Sequence, residues 1–153
     1  MKRNNRFETA VQKLYEAFHN DELNPECCKH CAVGNILDQT DSWKQLSNEH
    51  GSLNLNYVGL VHQRIGRTFN GYSPQELLEI EVAFLKGCGY EVPLGPYSKK
   101  PFAQLDKDLL FQGLCKTVEK LCDLEGIPSI MDYSELFQYK ISSTSTSSEI
   151  LVR

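Results

Sequence analysis

The sequence predicts an all-α fold, a compact single-domain bundle of about five to six helices. Two observations carry this. Every strong capping signal in the chain opens a run whose apolar residues recur three and four apart, the spacing of a helix face. Alternation of the kind a strand needs occurs in one place only, at Leu53, Leu55 and Tyr57, and predicts at most a vestigial strand near residues 53–57.

Residues 6–19 read as the first helix. Asn5 and Glu8 have capping-box spacing, and Phe7, Val11, Leu14, Tyr15 and Phe18 form one apolar stripe that stops at Asn20-Asp21. A second helix is expected over 25–37, with Asn24 as N-cap, Pro25 at the first helical position and Glu26 at the positive end of the dipole. Asp41 is placed to cap a short turn carrying Trp43 and Leu46. From about residue 56, Tyr57, Val58, Val61, Ile65 and Phe69 fit a helix, with Gly59 and Gly66 on its back.

Residues 73–86 give the clearest signal. Ser73 caps, Pro74 takes the first position, Glu76 completes a capping box, and Gly87 and Gly89 end the helix. Pro93, Gly95, Pro96 and Pro101 make 88–105 a long loop. Another helix is expected from Asp106 to Glu125, closed by Gly126 and Pro128, and a short one from Tyr133 to Phe137. A single domain over 1–140 is then followed by a Ser/Thr-rich tail, 141–153, of disordered composition.

Composition narrows the function classes. The chain has 153 residues, 41% hydrophobic and 24% charged, ordinary values for one globular domain. A formal net charge of −4 argues against nucleic acid as a partner. No apolar run is long enough to span a membrane, so no membrane partner is expected. The basic start Met1-Lys2-Arg3-Asn4-Asn5-Arg6 is not followed by the apolar region of a signal peptide. A cytoplasmic location follows as the expectation, with the six cysteines reduced.

The chemistry concentrates in Cys27-Cys28-Lys29-His30-Cys31. On the expected helix the three thiols share an arc with Gly34 and Asn35, opposite Ala32, Val33, Ile36 and Leu37. Three readings stand. Cys28 and Cys31, three apart, can chelate zinc or iron with Cys27, His30 or Cys88 completing or supporting the site. Tetrahedral zinc needs four ligands, and the remainder would come from His19, His50, His62 or Cys88. The same Cys-x-x-Cys pair can act as a redox dithiol. Or the cysteines are small buried residues of a structural or interaction module. Cys-x-x-Cys peroxidase-reductases of the alkylhydroperoxidase D type are similar in class, but carry a His soon after the second Cys, where this chain has Gly34 and Asn35.

Glu81 is a buried-carboxylate candidate. It projects between Leu77 and Leu85 in the apolar arc of its helix, where an ionised group must be paired or bound to a metal. Arg64, Arg67 or a tyrosine hydroxyl are the expected partners. Cys115 and Cys122 lie on the apolar face of the last long helix and read as core. No phosphate loop and no Ser/His/Asp grouping is legible.

Several segments taken together carry a family resemblance: Lys13-Leu14-Tyr15-Glu16-Ala17-Phe18-His19, Cys28-Lys29-His30-Cys31-Ala32-Val33-Gly34-Asn35, Phe69-Asn70-Gly71-Tyr72-Ser73, Phe84-Leu85-Lys86-Gly87-Cys88-Gly89-Tyr90 and Phe111-Gln112-Gly113-Leu114-Cys115. Over residues 6–137 the chain resembles a group of small bacterial proteins, some of which carry the name of the flavin- and NADH-binding component of the sodium-translocating NADH:quinone reductase. The ferredoxin-type cysteine spacing of that component does not occur in this sequence. The resemblance therefore implies a group and no activity.

Overall fold

The computed structural model describes residues 2–94, 107–128 and 133–139. Among them are six α-helices and one 3-10 helix, with no strand. The helices are α1 (Lys2–His19), α2 (Ala32–Ile36), α3 (Tyr57–Arg64), α4 (Pro74–Gly87), α5 (Lys107–Glu125) and α6 (Tyr133–Leu136), and the 3-10 helix is Ser42–Leu46. The all-α expectation holds. Even a vestigial strand near 53–57 does not form, within the expectation of at most one, and the sole bridge among the described residues joins Phe69 to Tyr72. Pro96, Pro101, Asp106 and the tail 141–153 lie outside the described residues.

The centre of the molecule is the contact of α4 with α5. A Cβ on Gly87 would come within 2.8 Å of the Gly113 Cα, so two glycines let the helix backbones meet. Around this contact Leu77, Ile80, Phe84, Leu85, Leu114, Val118 and Leu121 are buried. α1 packs on α5 and α2, burying Ala10, Leu14, Ala17 and Phe18. α4 begins as its sequence predicts: the Ser73 side chain accepts from the Glu76 N–H, and the Glu76 carboxylate accepts from the Ser73 N–H. At the other end of the core Arg6 of α1 reaches the carboxylates of Glu125 and Glu76 and the Gly71 carbonyl, tying α1 to α4 and α5.

Three sequence expectations are corrected. First, α1 starts at Lys2, so Asn5 lies inside it and is not its cap. Second, no helix runs over 25–37. Asn24 does cap, but it caps a turn: its side chain accepts from the Glu26 N–H at 2.9 Å, and its own N–H donates to the His30 carbonyl at 2.7 Å. That bond closes residues 24–30 into a loop, and helix begins only at Ala32. Third, α3 forms where expected and Asn56 caps it, but it faces the other way. Gly59 is its buried side, because a Cβ there would lie 2.3 Å from the Leu46 carbonyl oxygen. Tyr57, Val58, Val61 and Ile65, expected inside, are exposed.

Candidate metal centre

The loop from Asn24 to Cys31 is short and held from within. The Cys27 N–H donates to the Asn24 carbonyl, and the N–H groups of His30 and Cys31 both donate to the Cys27 carbonyl, at 3.0 and 2.8 Å. The loop then lies across α2. A Cβ on Gly34 would stand 2.3 Å from the Cys28 carbonyl oxygen and 2.5 Å from the Lys29 carbonyl carbon. Gly34 is therefore the residue that lets a turn of backbone rest on the helix that follows it. Cys31 is the N-cap of α2, its Sγ accepting from the Gly34 N–H at 3.3 Å. This places Cys31 fully inside and Cys28 half-buried beside it.

Glu81 is fully buried on α4, as its position between Leu77 and Leu85 predicts. Its partners are not the arginines. The Val33 N–H of α2 donates to Oε1 at 3.2 Å, and His50 Nε2 lies 2.7 Å from Oε2. His50 sits in the bend between the 3-10 helix and α3. Its other ring nitrogen, Nδ1, faces the Cys28 Sγ at 4.0 Å. The two nitrogens of one ring thus face the carboxylate and the thiol. Trp43 of the 3-10 helix steadies both sides: its Nε1–H donates to the Cys28 carbonyl at 3.1 Å, and its ring packs edge-on against His50, centroids 5.6 Å apart.

Donor atoms of Cys31, His50 and Glu81 all lie within 4.8 Å of one another, and Cys28 adjoins them through His50. One thiol, an imidazole and a carboxylate thus converge from the cap of α2, a bend and the middle of α4, and a second thiol, Cys28, lies beside the other nitrogen of His50. The electrostatics are unusual for a core. Burial pushes the Cys31 thiol well above its ordinary value, and the Glu81 carboxylate adds to the shift. Burial also raises Cys28, with Lys44 opposing it and Glu81 reinforcing it. A divalent cation among these groups would reverse the balance, since it favours thiolate and carboxylate together.

The other candidates are placed apart from this set. Cys27 is partly exposed, and its thiol is drawn below the ordinary value chiefly by His30, whose Nδ1 is 3.4 Å away. Those two residues partner each other at the surface of the loop. Cys88 is buried at the C-terminal end of α4 against Gly113, where an added Cβ would meet its Sγ at 2.3 Å. Its thiol is raised by burial first and by Glu81 second. His19 bonds to the Phe137 carbonyl at 2.6 Å, and His62 packs edge-on to Phe69. Cys122 is core as expected, while Cys115 is half-buried, its thiol pushed up to about 11 by burial.

A surface groove between α4 and α5 is lined by Ala83, Lys86, Gly87, Lys116, Glu119 and Lys120, and Cys28, Cys31, His50 and Glu81 are not among its lining residues. No helix among the described residues is long and apolar enough to cross a membrane. Comparison with protein-family models, with curated proteins and with solved structures finds no match.

Proposed function

We propose that this chain is a metal-binding protein whose centre is held by Cys28, Cys31, His50 and Glu81, and that the metal is zinc. The observation that carries the reading is the meeting of Cys31, His50 and Glu81 donors within 4.8 Å in the core, with the Cys28 thiol 4.0 Å from His50 Nδ1. Two sulfurs with one nitrogen and one oxygen suit zinc among the common divalent ions, and four protein donors leave no open position. Such a centre is structural. It cross-links the loop 24–31, the bend at His50 and α4.

A second reading has one observation in its favour. Cys28, His50 and Glu81 form a series of thiol, imidazole and carboxylate, the order of an activated nucleophile. Against it, burial raises the Cys28 thiol where an activated one would be lowered.

Elemental analysis of protein purified without added metal tests the proposal. About one zinc per chain is expected, lost in the Cys28→Ser, Cys31→Ser double variant. Thiol titration separates the alternatives. Cys28 and Cys31 that label quickly only after chelation support the centre. Quick labelling without chelation supports thiol chemistry. Silence in both conditions with no metal found removes both readings.

A further inference from the structure

The second unusual feature lies away from these donors, on α3. The helix is capped and regular, yet Tyr57 is 80% exposed and Ile65 69%, with Leu53, Val58, Leu60 and Val61 between 39% and 50%. Tyr57, Leu60, Val61, Arg64 and Ile65 follow the i, i+3, i+4, i+7, i+8 spacing of a helix face that a partner covers. A contiguous apolar ridge of this kind on a small domain marks an interaction site.

The charges around the ridge identify the partner. From His50 to Gln75 the sequence holds no Asp or Glu. The cations Arg64 and Arg67 stand at the C-terminal end of α3, where Arg67 lies over the Phe69 ring at 5.0 Å. At the opposite end the cap residue Asn56 donates from Nδ2 to the Asn48 Oδ1 at 3.1 Å, which brings the exposed Glu49 beside the start of the helix. Among the described residues Arg64 and Glu49 make no ion pair. Asp41 and Lys44 also stand by the start of the helix, so that end carries two carboxylates against one ammonium, and the surface runs from positive through apolar to net negative.

A surface with that order complements itself when turned end for end. We propose that the α3 face is the contact through which two copies of this chain associate, with the two α3 helices antiparallel. A two-fold axis across the ridge sets Tyr57 and Leu60 of one copy against Ile65 and Val61 of the other. It brings Arg64 and Arg67 to Glu49 at both ends and opposes the helix dipoles. A parallel pairing would set arginine against arginine. The eight residues of α3 span about 12 Å. That is a small interface, below the roughly 800 Å² per partner of a stable complex, so a dissociation constant in the micromolar range is expected.

Sedimentation velocity of the purified full chain tests this, over about 1 to 200 μM, the range in which such an interface dissociates. A monomer–dimer equilibrium is expected in the wild type. The Leu60→Glu, Ile65→Glu variant should stay monomeric throughout with an unchanged melting temperature, since both residues are exposed. Glu49→Arg should weaken the dimer at least tenfold, and combining it with Arg64→Glu and Arg67→Glu should restore it. A wild type that is monomeric at every concentration overturns the proposal and leaves the ridge to a different macromolecule. So does a dimer indifferent to the α3 substitutions. The outcome is independent of the metal reading, because none of these residues is a donor.

Discussion

The chain buries cysteines in two regions, and the contrast between them separates a core from a candidate site. Cys88 and Cys122 sit in and beside the α4–α5 contact, Cys88 against Gly113 and Cys122 on the apolar face with Val118 and Leu121. Cys31 is buried as deeply, but its neighbours are Glu81, His50 and the half-buried Cys28. In the first region the thiols behave as small apolar residues. In the second, burial has gathered two thiols, an imidazole and a carboxylate, and the carboxylate reinforces the upward shift that burial gives both thiols. Depth is the same; the company of other donors is what differs.

The largest effect that can break this contrast is at Glu81. Glu81→Ala leaves His50 and the Val33 N–H facing an empty pocket in the core. It should cost about 3 kcal/mol or more, against about 0.5 kcal/mol or less for Glu79→Ala on the outer side of the same helix. Thermal unfolding of the two variants checks this, and equal melting temperatures would refute the pairing. Next is metal removal. With zinc at about a hundredfold over its dissociation constant, chelation should lower stability by about 2.7 kcal/mol. The Cys28→Ser, Cys31→Ser variant should show no response to chelator.

Two glycines sharpen the comparison further. Gly113→Ala drives a Cβ into the Cys88 sulfur and the Phe84 carbonyl, and overpacking of this kind costs about 1–3 kcal/mol. Metal content should be unchanged, because the strain stays between α4 and α5. Gly34→Ala pushes instead on the backbone at Cys28 and Lys29, so its signature should be reduced metal per chain. The smallest effect belongs to Cys27→Ser. Its thiol contacts His30 at the surface of the loop, and both the melting temperature and metal content should be unchanged, within about 0.5 kcal/mol.

What was legible in the sequence divides along the same line. α4 could be read almost residue by residue, because its cap, its proline and its apolar spacing are local signals that packing did not override. Glu81 was legible for the same reason, as a charge out of place on a helical wheel. The Cys28–Cys31 pair stood out by composition. The loop around it did not, because Asn24 and Pro25 suit a tight turn as well as a helix start, and the closing bond from Asn24 to His30 is not a periodic signal. His50 could be named only as one histidine among several. It lies 31 positions from Glu81, and nothing in its neighbours fixes where the bend carries it. On α3 the stripe was real but its direction was not readable, since burial of Gly59 against Leu46 depends on where the 3-10 helix comes to rest.

X-ray absorption at the zinc edge, on the metal-loaded protein, tests the four-donor centre most directly. Two sulfur neighbours at about 2.3 Å and two nitrogen or oxygen neighbours at about 2.0 Å are expected, with one sulfur lost in each single Cys28→Ser or Cys31→Ser variant that still binds. A shell of nitrogen and oxygen alone, or a protein that takes up no zinc with both thiols reduced, would contradict the centre.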